Sequence, residues 1–218
     1  MVTLSSQKRY VLLSDPLYAV FIYGSSVVQV DGANMGISLS SKHQIMVQNR
    51  AHYVNTSTHE QFKKLGLWID RHREELHEIL NRDDFFPERF ILFGEWLSAT
   101  HSIPYTHLPD RFLVFDFYDR QTGAFADRKS LQRILSRTSI QMVPVILEGR
   151  MPGDEELREL VQKRFSYYDG RMEGVYLKVE KNGRVVSRGK VVRGDFIPGN
   201  EHWTRGNLRV NGMTAEDI

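Results

Sequence analysis

The sequence predicts an α+β fold of antiparallel sheets flanked by helices, on three observations. Over the first fifty residues, VFIYGSSVVQVDGANMGISLSS and then HQIMVQ alternate apolar and polar side chains with period two. From Thr58 the apolar residues recur at helical intervals instead. Further on, five more strand-like segments are interleaved with short helical ones, and no repeat, low-complexity tract or linker divides the chain. Residues 1–218 therefore read as one domain, with a polar, irregular tail from about 199.

The elements follow in order. The opening strands are rich in Val and Ile and are broken by Gly and Ser, which suits tight antiparallel turns. Thr58 and Gln61 stand in capping-box spacing ahead of Phe62, Leu65, Trp68, Ile69, Leu76, Ile79 and Leu80. That pattern predicts one long amphipathic helix to about residue 81, with an interruption near Gly66. RFILFGEWL and RFLVFDFYD read as strands separated by THSIPYTHLPD. A short helix is expected from Asp127, a strand in MVPVILEG, and a helix from 154 to about 165 whose acidic start suits the helix dipole. Two last strands flank Asn182-Gly183, the dipeptide of a type I′ hairpin turn.

Composition narrows the chemistry. With no cysteine, a disulfide framework, a thiolate zinc site, an iron–sulfur cluster and a cysteine nucleophile are all excluded. Basic residues number 29 against 27 acidic, so a phosphate-rich partner must be held by a local basic surface rather than by the overall field. There is no signal-peptide core and no run approaching about 18 apolar residues, which leads to the expectation of an intracellular, cytoplasmic chain without a membrane partner. His72 and His77 are five apart and do not share a helical face, so the histidines suggest no metal site. His101 is a candidate ligand contact, and Ser98 and Ser102 beside it lack a nucleophile elbow. Tyr167 and Tyr168, next to Lys163 and Arg164, read either as anchors of the helix or as stacking partners for RNA bases.

Charges inside apolar strands are the sharper signal. Glu95 in ILFGEWL, Asp116 in LVFDFY and Glu173 ahead of GVYLKV are expensive to bury without a cation, a metal or a ligand hydroxyl. Lys190 sits between valine pairs in VVSRGKVVR, with Arg188 two residues earlier on the same strand face. Singly, each reads equally well as half of a buried ion pair; together they suggest a cleft for a phosphate and a divalent metal.

The order of these segments resembles the ATP-dependent RNA ligase family of covalent nucleotidyltransferases, from about residue 27 to 203. VDGAN resembles the end of the first motif, QNR the segment whose arginine contacts the nucleotide, and FGEWLSATHSIPY the third motif. FLVFDFYD is similar to the strand after it, EGVYLK to the fourth motif, RGKVVR to the fifth, and EHW at 201–203 to a segment some relatives carry. The resemblance implies a nucleotidyltransferase adenylation domain, ATP-grasp-like, with ATP or AMP and Mg2+ as cofactors and RNA ends as substrate. It implies roles for Asp31, Gly32 and Asn34 of the first motif and for Arg50 on a phosphate or ribose hydroxyl. Glu95 would bind the ribose or a metal, and Glu173 would hold the metal near the phosphate. Phe115 would stack on adenine, with Phe117 two residues on expected to face the same way. Lys190 would neutralise the α-phosphate, assisted by Arg188.

Gln29 departs from that family pattern. The residue two before the Asp of the DG pair is, in the family, the lysine that attacks ATP to form a lysyl-AMP. An amide nitrogen, its lone pair delocalised into the carbonyl, cannot do this. Val28, where relatives commonly carry an acid, is a second departure and argues against a single trapping substitution. Two readings remain: a ligase domain that seals only pre-adenylylated RNA, or an inactive nucleotide- or RNA-binding module with a regulatory or scaffolding role beside a protein partner. Many relatives add a C-terminal module that grips the nucleic acid, so the resemblance leaves that grip to the surface of this chain or to the partner.

Overall fold

A computed structural model of the chain describes residues 23–196 and 208–214. The EHW segment at 201–203 and the first residues of the opening strand segment lie outside them. The alternating start forms β1 (Tyr23–Gln29), β2 (Ala33–Leu39) and β3 (Ile45–Gln48). Then come α1 (Leu65–Arg71), α2 (Arg73–Leu80), β4 (Phe90–Trp96), β5 (Phe112–Asp119), β6 (Ala124–Ala126) and α3 (Arg128–Leu135). The chain continues through β7 (Val145–Arg150), α4 (Asp154–Leu160), β8 (Arg164–Phe165), β9 (Gly170–Arg171), β10 (Gly174–Lys181) and β11 (Arg184–Val192).

Nine of these strands join in the order β3-β2-β4-β5-β6-β11-β10-β1-β7, every named pair antiparallel, while β8 and β9 pair separately. The β10–β11 hairpin turns on Asn182 and Gly183 at φ 54° and 78°, the left-handed pair that a type I′ turn requires. Two cores fill the fold. The first packs Met35, Leu92, Trp96, Phe112 and Val114 of β2, β4 and β5 against Trp68, Leu76 and Leu131 of α1, α2 and α3. The second gathers Val27, Val28, Leu113 and Val175 with Leu97, Ile103, Tyr105, Leu160 and Phe165. Among the described residues no helix is long and apolar enough to cross a membrane.

Four expectations are corrected. The long helix is instead a 3-10 turn at Glu60–Phe62 followed by α1 and α2: the interruption expected near Gly66 falls at residues 63–64, just before it, and a second, unexpected break falls at His72. His72 leaves helical backbone values (φ −102°, ψ 12°) where its buried ring meets Glu75 at 2.7 Å and Ser139 at 3.2 Å. The capping box does not form: Thr58 Oγ1 accepts from the Asn55 amide in a preceding turn, and the His59 ring accepts from the Gln61 amide. The helix expected to reach 165 ends at Leu160, because Arg164–Phe165 is drawn into pairing with Gly170–Arg171. Phe115 and Phe117 do not share a face: β5 holds an extra residue between Val114 and Asp116, a bulge at Phe115 that reverses the alternation. Phe117 therefore stacks on Phe90 in the first core, while Phe115 packs against the second.

The tail is less irregular than expected. Residues 208–214 run along the loop after β4, bridging Ala99 to Val210 and Leu108 to Met213.

Candidate functional site

Strand register builds the site. In the β1–β10 ladder Gln29 lies opposite Gly174, which brings the end of β1 beside Glu173. The Gln29 Nε2 donates to Glu173 Oε1, and Lys190 Nζ of β11 reaches the same oxygen at 3.1 Å. Glu173 is buried, whereas half of the Lys190 side chain remains exposed. Gln29 Oε1 is buried without a hydrogen-bond partner among the described residues. Gly174 has no room for a side chain, since a Cβ there would lie 2.2 Å from the Val191 carbonyl oxygen.

Past β1 the chain turns through Asp31 and Gly32 into β2. The Asp31 carboxylate accepts from the Ser102 and Ile103 amides at 2.6 and 3.1 Å, and its own amide donates to the Tyr105 hydroxyl at 2.8 Å. Asp31 thus ties the first-motif turn to the loop after β4. A Cβ on Gly32 would meet the Trp96 carbonyl oxygen at 2.5 Å, so the turn packs tightly on the end of β4. On the neighbouring ladder Asn34 lies opposite Glu95.

Electrostatics join these pieces. Burial pushes the Glu95 carboxyl up to about 8; Arg50 and a hydrogen bond from Asn34 oppose this, while the charges of Asp31 and Glu173 reinforce it. Burial also raises Glu173, with Lys190 and Gln29 pulling the other way and Asp31 adding to the rise. Three carboxylates therefore share one field with Lys190 and Arg50 as the opposing cations. Burial lowers the His101 ring below its usual range; Asp31 offsets this and His59 adds to it.

Asp116 has a different setting. It is fully buried with Lys178 Nζ at 2.8 Å, itself fully buried, and with Arg188 at 3.4 Å. Arg188 also lies 3.8 Å from the centre of the Phe125 ring. The structure thus joins Gln29, Asp31, Asn34, Arg50, Glu95, Glu173 and Lys190, while Arg188 is turned to Asp116. Half-buried Phe115 stands edge-on to Tyr176, ring centres 6.3 Å apart.

Sequence reasoning missed Lys178, Tyr105 and Asn211. Lys178 had a signal, since the period-two count from Tyr176 puts it on one face with Glu180, and both are buried. Tyr105 and Asn211 had none, because their partners, mostly backbone groups, lie far away in sequence.

The sequence profile of the RNA ligase family matches residues 28–192. Among curated proteins none is similar at a significant level. Solved structures of an RNA ligase from Naegleria gruberi share the fold. A mutant with ATP and Mn is 17% identical, covers 81% of this chain and 52% of its own length, and has a TM-score of 0.62. A second mutant with ATP and Mn is 14% identical, covers 89% and 56%, and scores 0.64. A third, with AMP and Mn, is 16% identical, covers 81% and 51%, and also scores 0.64. The chain spans about half the length of the ligase chains it matches.

Proposed function

The chain belongs to the RNA ligase family, and on that premise we propose that it is a nucleotidyltransferase domain acting on RNA ends that cannot adenylylate itself and seals RNA already bearing a 5′-adenylate. The observation that carries this reading is Gln29, an amide engaged with Glu173 where the family pattern has its lysine nucleophile. Sealing needs no such nucleophile. The RNA 3′-hydroxyl oxygen attacks the 5′ phosphorus of the adenylylated end, the new phosphodiester forms, the pyrophosphate bond to AMP breaks, and the hydroxyl proton passes to solvent.

In this reading Glu95 and Glu173 would offer two carboxylates to a hard divalent cation such as Mg2+ beside the nucleotide. Glu95 and Glu173 are carboxylate oxygen donors that share one field with Asp31, and the Gln29 amide oxygen is a further unpartnered acceptor among the described residues. A cation held by Glu95 and Glu173, with its remaining positions on phosphate oxygens, would neutralise charge on the reacting phosphate. Lys190 would sit on that phosphate, Arg50 and Asn34 would orient the ribose side, and Phe115 would face the adenine. Asp31 and Gly32 would fix the turn that presents Gln29. Residues 1–218 act as one domain in this reading. RNA is held by surface charge, so its binding weakens as salt rises.

Two ligations test the reading: ATP with 5′-phosphate RNA, and pre-adenylylated RNA without ATP. Joining only in the second supports sealing; joining in the first overturns the proposal. A second reading, a binding module without catalysis, is favoured by one feature. Glu173 is already satisfied inside the fold by Gln29 and Lys190. It predicts joining in neither reaction, with nucleotide or RNA still bound.

A further inference from the structure

The C-terminal segment at 208–214 is hydrogen-bonded along the loop that holds Asp31. Thr100 donates its amide to the Arg209 carbonyl at 2.8 Å, the Asn211 amide donates to Ser98 at 3.2 Å, and the Gly212 amide donates to Tyr105 at 2.8 Å. Leu108 and Thr214 extend the pairing, Leu108 giving its amide to Gly212 and Thr214 giving its amide to Leu108. At the centre, the buried Asn211 side chain uses both ends. Its Nδ2 donates to the Leu97 and Ala99 carbonyls at 2.9 and 3.0 Å, and its Oδ1 accepts from the Thr100 hydroxyl at 2.8 Å and the Tyr105 amide at 3.1 Å. Four bonds satisfy the amide completely. A Cβ on Gly212 would meet the Thr106 carbonyl oxygen at 2.8 Å, so the segment lies directly on the loop backbone.

The loop between those contacts carries the Ser102 and Ile103 amides and the Tyr105 hydroxyl, the three groups that hold Asp31 two residues from Gln29. We propose that Asn211 is a positioning residue: the C-terminal segment, through Asn211, sets the loop at 97–108 and thereby the Asp31 turn on which nucleotide binding depends. The dependence on nucleotide rests on the proposed function above; the mechanical link from Asn211 to Asp31 does not. A side chain of this kind acts as outer-layer support does elsewhere, holding the group that touches the ligand.

Amide hydrogen exchange read by NMR and titration with AMP test this on the full chain, as wild type, Asn211→Ala, Gly212→Ala and Leu131→Ala. Leu131→Ala perturbs the other core and serves as a merely structural control. Asn211→Ala and Gly212→Ala are expected to speed exchange at Asp31, Ser102 and Ile103 by about tenfold or more relative to β4 amides, and to weaken AMP binding by about tenfold. Leu131→Ala should change neither. Unchanged exchange at those three amides overturns the proposal, as does equal acceleration in Leu131→Ala, or faster exchange with AMP affinity intact. If Asn211→Ala does not fold, Gly212→Ala, which keeps every polar group, decides the matter. Failure of the wild type to bind AMP overturns the nucleotide reading instead, and the exchange result then decides the link by itself.

Discussion

Two carboxylate–lysine pairs stand on the same sheet and differ in what surrounds them. Asp116 and Lys178 are both fully buried, 2.8 Å apart, with Arg188 alongside. Glu173 and Lys190 are 3.1 Å apart, with half of the lysine side chain exposed and Gln29 in the space beside them. In the first pair the acid has two cations and is closed off, as a structural ion cluster must be where water cannot compensate. In the second, one half-exposed lysine faces a buried acid that also feels the charge of Asp31. A charge in an apolar strand marks both; the count of cations and the access of water separate them.

The largest contrast is chemical. Wild-type protein incubated with α-labelled ATP and magnesium, then denatured, is expected to carry no label, whereas Gln29→Lys, with Val28→Glu added, is expected to become labelled. A labelled wild-type band would show that the amide position is not what blocks the first step. Next in size is stability. Lys178→Met removes the nearer of the two cations from the buried Asp116, leaves Arg188 alone beside it, and should cost about 3 kcal/mol in urea unfolding. Lys190→Met, half exposed, should cost no more than about 1 kcal/mol while weakening nucleotide binding. Equal losses would erase the distinction between the two pairs.

A subtler test uses pH. The folded pKa of Glu95, about 8, lies above its ordinary 4.5, so the folded state holds the proton more tightly. Its contribution to stability is full below about 4.5 and is lost as pH rises toward 8, at roughly 1.4 kcal/mol per unit of pKa difference at most. Glu95→Gln, which stays neutral, should flatten the stability profile across that window. A slope identical to wild type would mean that the carboxyl is solvated and charged throughout.

Much of this was legible in the sequence because it is local. Alternation marked β1 and β2, strand-forming apolar runs marked β4 and β5, Asn182-Gly183 marked the β10–β11 hairpin, and Asp127 caps α3 by accepting from the Ser130 amide at 2.8 Å. Expense on burial singled out Glu95, Glu173 and Lys190 before any contact was known. What was misplaced depended on pairing. The bulge at Phe115 follows from how β5 seats on β4 around Gly94, where a Cβ would strike the Phe112 ring at 2.5 Å. The break at His72 follows from a buried ring shared by Glu75 and Ser139, which lie on different segments.

The sequence by itself determined the α+β class, the long strands along the chain and the absence of a lysine at position 29, since these rest on periodicity, turn chemistry and residue identity; the order of strands within the sheet came from their pairing. Only the tertiary structure decided that Asp116 is a closed ion cluster, that Glu173 takes both Gln29 and Lys190, and that Asn211 holds the loop behind Asp31. The reason is physical: burial and hydrogen-bond partners are set by residues 17 to 144 positions apart, as in Lys190–Glu173 and Gln29–Glu173. No local pattern encodes which distant groups will meet once water is excluded.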